Sequence, residues 1–198
     1  RGPNSVLETT NIHTVSSSAL AIDVLDGAHL WKDVNLTKPY SSQDSSSIGV
    51  KAWYSAITFE DLSIHHHALG FQSINSVLSG DVLSLKDGST TGISLDDSSL
   101  DIDSITTQVF STGVEMLGAS TMHASSWSAK LHATPLLVST DSSATVRDFQ
   151  PQNTQSSSSD ALGDGYLLYG GSTTANIATS SFDVLEETPV TFTDLTGS

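Results

Sequence analysis

Ile22-Asp-Val-Leu-Asp-Gly-Ala-His-Leu-Trp-Lys-Asp-Val-Asn-Leu36 aligns without a gap to Val50-Lys-Ala-Trp-Tyr-Ser-Ala-Ile-Thr-Phe-Glu-Asp-Leu-Ser-Ile64, and that pairing decides the fold. The same frame fits Ile93-Ser-Leu-Asp-Asp-Ser-Ser-Leu-Asp-Ile-Asp-Ser-Ile105, and again Leu137 through Val146-Arg-Asp-Phe149. With one inserted residue it also fits Val114-Glu-Met116 through Met122 and Trp127. The starts at 22, 50, 93, 114 and 137 lie 28, 43, 21 and 23 residues apart. Because 43 is close to two periods, a degenerate coil is expected between 64 and 93. A period of about 22 with two short apolar strands per repeat predicts a stacked solenoid.

Within a repeat, aliphatic and polar residues alternate, as a strand with one buried face requires. The second repeat shows this at Val50 and Ala52, then Ile57 and Phe59, then Leu62 and Ile64, with breaks at Tyr54-Ser55 and Glu60-Asp61. Strands this short have no room for long hairpins, but each can pair in parallel with its equivalent one repeat later. Val50 is then expected over Ile22, Phe59 over Trp31, Leu62 over Val34 and Ile64 over Leu36. At a rung spacing of about 4.8 Å, roughly eight coils would make a rod about 40 Å long. The interior should hold Trp31, Phe59 and Trp127.

Asp26-Gly27, Asp97-Ser98, Gly118-Ala119 and Asp141-Ser142 share one position in the repeat, and their residue types suit a corner. Asp33, Asp61 and Asp148 share a second. Helical periodicity is scarce; only 65–78 could be forced into a helix. The whole chain, 1–198, is expected to be one β-helix domain with irregular Ser-rich excursions at 38–47 and 150–165. Residues 183–198 are expected to be a final coil or a linker to a following module. Glu186-Glu-Thr-Pro-Val-Thr-Phe192 resembles the opening strand of cadherin-like tandem modules, and Arg1-Gly-Pro-Asn-Ser5 reads as a boundary within a longer protein.

The phrase Ile48-Gly-Val-Lys-Ala-Trp-Tyr-Ser-Ala-Ile-Thr-Phe-Glu-Asp-Leu-Ser-Ile64 resembles the repeat of pertactin-like autotransporter passengers. Those coils read Gly-aliphatic-x-small, a Gly or Ser corner, then alternating aliphatics. Ala19–Thr37 and Thr112–Ala129 are similar to it, so the resemblance spans about residues 19–149, in a pattern shared with the pectin-lyase-like superfamily. It implies an all-β fold, a right-handed parallel β-helix with coils of about 22 residues, on a secreted or surface-displayed protein. Long Ser-rich excursions and few basic residues set this chain apart from that family.

Charge narrows the partners. Twenty-two acidic residues against seven basic ones give a net charge of −15, and Arg1, Lys32, Lys38, Lys51, Lys86, Lys130 and Arg147 do not cluster in sequence. Nucleic acid, heparin-like polymers and anionic membranes need a basic footprint and are not expected as partners. No apolar run is long enough to span a bilayer. Serine and threonine contribute 36 and 22 residues, but an apolar fraction of 37% in regular alternation argues for a folded chain. Cysteine is absent, which removes disulfides and thiol chemistry.

Enzymes occur on this fold, yet the paired-Asp, Gly-His-Gly and Arg-Ile-Lys stretches of polygalacturonase-like hydrolases are missing. Pectate-lyase-like sites would need a basic residue beside aspartates, and Arg147 is better read as a partner of Asp148 at a corner. The densest carboxylates, Asp96-Asp97 and Asp101-x-Asp103, could serve glycoside hydrolysis at the right separation. They are more simply read as one corner and two outward positions around Leu100 and Ile102. No catalytic residue is therefore assigned. No cofactor is expected either; calcium is the ion those oxygen ligands would suit. In His65-His66-His67, residues 65 and 67 would share a strand face and could chelate Zn²⁺, but a solvated corner is the simpler reading and no metal ligand is assigned. Asn35-Leu-Thr37 is a glycosylation sequon by pattern alone.

Trp53 and Tyr54 fall at the corner aligned with Asp96-Asp97. An outward aromatic pair there would stack on sugar or peptide, so these two are the candidate ligand-binding residues. The expectation is a non-catalytic adhesin or stalk at the cell surface or outside the cell, binding an extracellular glycan or protein. The alternatives are a carbohydrate-active β-helix enzyme, tailspike-like depolymerases included, and a structural spacer within a giant surface protein.

Overall fold

The computed structural model describes residues 6–15, 19–39, 45–138, 142–152, 166–168 and 174–177, and every element in them is a strand. They are β1 (Val6–Val15), β2 (Leu20–Thr37), β3 (Ile48–His65), β4 (Leu69–Ile74), β5 (Val77–Lys86) and β6 (Thr91–Asp96). Then follow β7 (Ser99–Leu117), β8 (Thr121–Val138), β9 (Ser143–Gln152), β10 (Tyr166–Leu168) and β11 (Thr174–Ile177). Every strand pair is parallel, and one column of stacked partners runs Val6, Ala28, Ala56, Val77, Ser99, Thr121, Ser143, Thr174. The molecule is a parallel β-solenoid with steps of 21 or 22 residues between most coils and 28 between β2 and β3, where Leu20 pairs with Ile48. Ile22/Val50, Trp31/Phe59, Val34/Leu62 and Leu36/Ile64 stack as the repeat predicted.

Three results refine the repeat. Each full coil has three pleated runs rather than two; in β2 they are separated at Asp26 and Asp33, both with left-handed φ (54° and 48°). The breaks at Tyr54-Ser55 and Glu60-Asp61 already marked three runs in the second repeat, although the repeat as a whole was counted as two strands. The degenerate coil is β4 with β5, where Phe71, Leu78, Leu83 and Leu85 are buried. It escaped alignment because Gly80 takes the column of Trp31, Phe59 and Ile102. The Phe59 ring fills the missing volume, and a Cβ on Gly80 would lie 2.5 Å from it. Finally, the coil assigned to Leu137 starts one residue earlier, with Leu136 beneath Val114.

The core is one continuous stack of inward aliphatic and aromatic side chains, including Trp31, Phe59 and Trp127, each at most 4% exposed. Each full burial of a Leu, Ile or Phe is worth about 1.5–3 kcal/mol, and the parallel register repeats that gain coil after coil. Where the first run begins, the interior narrows to backbone. Added Cβ atoms on Gly49, Gly70 and Gly92 would meet the carbonyl oxygens of Gly70, Gly92 and Gly113 at 2.5–2.6 Å. That closeness explains the pair of glycine and a large apolar residue opening four successive coils.

The excursion after Thr37 leaves and rejoins the ladder through Lys38 N–H to His65 O (3.0 Å) and Ile48 N–H to Ala19 O (2.6 Å). Residues 40–44 between them lie outside the described set. β9 continues to Gln152, paired with Lys130. Residues 153–165, most of the second expected excursion, and the segment 183–198 also fall outside the described residues.

Candidate ligand-binding corner

The corner carrying Trp53 and Tyr54 is built by two columns of residues. Asp26, Tyr54, Asn75, Asp97 and Gly118 hold left-handed φ values of 47–60°, which swing the chain from the first face to the second. The next column turns inward as Ser55, Ser76, Ser98, Ser120 and Ser142, all at most 4% exposed. Ser55 Oγ donates to Trp53 O at 2.7 Å, and the other four hydroxyls each accept and donate. Ser76 Oγ accepts Ser55 N–H at 3.0 Å and donates to Ile74 O at 2.9 Å. Ser98 Oγ accepts Ser76 N–H (3.1 Å) and donates to Asp96 O (2.8 Å). Ser120 Oγ takes Ser98 N–H and Ser142 Oγ takes Ser120 N–H, at 3.2 and 3.3 Å. Backbone groups that the left-handed residue removes from the sheet ladder are thereby satisfied. Serine at this position had been read as a turn former; its buried hydroxyl does the bonding.

Asp and Asn tolerate a left-handed backbone, but an aromatic residue does not do so cheaply. Tyr54 stands where the column otherwise offers Asp, Asn, Asp and Gly. The opposite corner strains its backbone similarly at Val109 and Leu131, so what sets Tyr54 apart is exposure. Its side chain is 60% exposed, in company with Leu25 at 67% and Val77 at 58%. Trp53 is half-buried, in register with Leu25 on one side and Ile74 on the other. Lys51 Nζ lies 4.2 Å from the centre of the Trp53 ring, a cation–π contact that covers one face of the indole. The two residues expected to bind ligand thus share one ridge with three exposed or half-buried aliphatics. Leu25, Ile74 and Val77 could not be found from sequence, because alternation reads an aliphatic beside a corner as core.

The other candidates are dispersed. Asp96 is half-buried on the first face, Asp97 sits at the corner, and Asp101 and Asp103 point outward around buried Leu100 and Ile102. Asp97 Oδ1 accepts Ala119 N–H at 2.9 Å, and Asp101 Oδ1 meets His123 Nδ1 at 2.9 Å. The run is wrapped around the solenoid and does not converge as one cluster of four. His65 and His67 do not share a face: the left-handed φ of 63° at His66 reverses the alternation, leaving His65 half-buried and His67 1% exposed. The run is a corner, as expected, but not a fully solvated one. Burial chiefly, then the neighbouring Lys86 and His66, push the His65 pKa below its ordinary value against an opposing pull from Asp87.

A buried polar group went unnoticed in the sequence. Trp127 Nε1–H donates to Thr107 Oγ1 (2.9 Å), whose hydroxyl reaches His132 Nε2 (2.9 Å). His132 Nδ1 meets Phe110 O at 3.1 Å, and its ring stacks on Phe110 at 6.2 Å between centroids. His132 Nε2 also lies 3.0 Å from Thr107 O, so each ring nitrogen faces a backbone carbonyl. Burial lowers the His132 pKa, partly opposed by the Phe110 and Thr107 backbone carbonyls. This group is interior and serves packing. Comparison of the chain with protein-family models, with curated proteins and with solved structures finds no match.

Proposed function

We propose that this chain is a non-catalytic binding segment of an extracellular or surface-displayed β-solenoid, an adhesin or stalk that meets its ligand at the Trp53–Tyr54 corner. One observation carries the reading. Among the described residues the large apolar side chains exposed by more than half are Leu25, Tyr54 and Val77, and they gather at a single corner, while Val82 and Leu117 are exposed less. Contiguous apolar surface of this kind on a soluble face marks an interaction site. The repeat's likeness to autotransporter passengers supports surface display, and the dispersal of Asp96, Asp97, Asp101 and Asp103 supports binding without catalysis.

The test is a glycan array and an extracellular-protein array probed with wild type, Trp53→Ala/Tyr54→Ala, and a fourfold Asp→Asn variant at 96, 97, 101 and 103. Binding that disappears with the aromatic variant is the expected result. Reducing ends released by wild type and not by the fourfold variant would replace this reading with a polysaccharide-cleaving enzyme.

A further inference from the structure

We propose that the Trp53–Tyr54 corner docks an extended, apolar polypeptide segment bracketed by two basic side chains. The inference rests on the corner being a binding surface, and it names the class of ligand. The middle of the ridge is apolar: Leu25, Trp53 and Ile74 stack along the first face, with Tyr54 at the apex and Val77 on the second face. Leu25, Ile74 and Val77 offer a sugar no hydrogen bond, and exposed Asn75 is the polar side chain that the corner column places between Tyr54 and Asp97. Aliphatic or aromatic side chains of a polypeptide match them.

Both axial ends of the ridge are acidic. Asp23 and Asp26 stand exposed on the coil of Leu25, and Asp96 and Asp97 occupy the coil beyond Ile74, with Asp97 exposed. The backbone N–H of Ala119 holds the Asp97 carboxylate in place. From Asp26 to Asp97 the corner climbs three rungs, about 14 Å, which an extended chain covers in about four residues. A segment with arginine or lysine at each end and three apolar residues between them therefore places both cations on carboxylates while its centre covers the ridge. Lys51 on the Trp53 ring shows that this indole already attracts a cation. The chain's charge of −15 favours approach of the same class of ligand.

The experiment uses the full chain and three labelled peptides, each with the same three apolar residues, flanked by Arg, by Gln or by Glu. Fluorescence anisotropy is read at low and high salt. Binding of the Arg-flanked peptide is expected to be roughly tenfold tighter than that of the Gln-flanked one at low salt, with the Glu-flanked peptide weakest. The preference should fade at high salt and in Asp26→Asn/Asp97→Asn, since screening and neutralisation remove the same attraction. Asn suits the left-handed backbone and keeps an acceptor for Ala119, so this variant should retain its circular dichroism. Asp103→Asn, away from the ridge, should change nothing, and Trp53→Ala/Tyr54→Ala should abolish binding. Equal affinity for Arg- and Gln-flanked peptides overturns the basic-flank assignment while leaving the corner a binding surface. Glycan binding with no peptide binding overturns the polypeptide assignment alone. Arg-peptide binding that survives loss of both aromatics is diffuse attraction to an acidic surface and also overturns the proposal. Absence of any peptide or glycan binding removes both the proposal and the functional reading.

Discussion

Ser76 lies one coil beyond Ser55 and completes it: its buried hydroxyl accepts a hydrogen bond from the Ser55 amide at 3.0 Å and donates one to Ile74 O at 2.9 Å. The relationship recurs from Ser76 to Ser98, Ser98 to Ser120 and Ser120 to Ser142. The corner bearing the aromatic pair is therefore held by side-chain oxygens inside the solenoid. Its outer positions are left free to vary, which is why one of them can carry a tyrosine.

Replacing Ser98 with Ala removes an acceptor for Ser76 N–H and a partner for the Ser73 hydroxyl, both buried. The expected loss is about 1–3 kcal/mol of stability, the usual cost of stranding a buried donor. Ser99→Ala, on the outward side of the same chain, should cost under about 0.5 kcal/mol. Urea titration of the two variants separates them; equal stabilities would mean that the serine column contributes nothing.

Phe59 is 1% exposed and fills the space over Gly80, whereas neighbouring Thr58 faces outward with a hydrogen bond to Ser79. Phe59→Asp should cost several kcal/mol, on the order of 3–5, and prevent folding, because it trades a buried ring for a carboxylate within the apolar stack. Thr58→Asp should be nearly neutral. Circular dichroism and gel filtration check both, and similar behaviour of the two would invert the inside–outside assignment.

The depressed pKa of buried His132 gives a signed pH dependence. Above the unfolded-state value of about 6.5 both states are neutral and the full stability is present. As pH falls below that value the unfolded chain takes up a proton that the folded ring resists, so stability is lost until the lower folded pKa is passed. The slope from this group can reach about 1.4 kcal/mol per pH unit. Thermal melts between pH 8 and pH 5 should show the midpoint falling on the acid side. A His132→Gln variant, less stable overall, should show a shallower decline.

Tyr54 sets stability against function. Tyr54→Asn relieves a left-handed aromatic backbone and should stabilise the protein by about 0.5–1 kcal/mol. The same change removes the exposed ring and should weaken ligand binding. A variant that is both less stable and still competent to bind would show that Tyr54 is held by packing rather than retained for contact.

Legibility in the sequence followed the chemistry of each position. The stack of Ile22, Val50, Ile93 and Val114 could be read directly because an inward β-position admits little except an aliphatic. β5 hid because a glycine and an oversized neighbour share one volume at Gly80 and Phe59, and no single repeat displays that exchange. Tyr54 was recognisable as a corner residue from its alignment with Asp97. Its neighbours on the ridge were not, since Val77 and Leu78 look alike until the turn decides which one faces water. Serines 55, 98 and 142 were visible as small residues at a corner, and Ser76 and Ser120 were not, but only the neighbouring coil shows whether such a hydroxyl meets water or an amide.

The serine column has a direction. In every pair the earlier coil presents the amide and the later coil brings the oxygen, so the corner of each coil stays unfinished until about 22 further residues are in place. At this corner a chain assembling from its N-terminal end carries one unsatisfied amide at its growing tip, and each new coil covers that group while exposing its own. Assembly of this kind proceeds like a ratchet with a single open tooth. At this corner a break leaves only that last amide open, so coils can be added or removed without any change in the serine device itself.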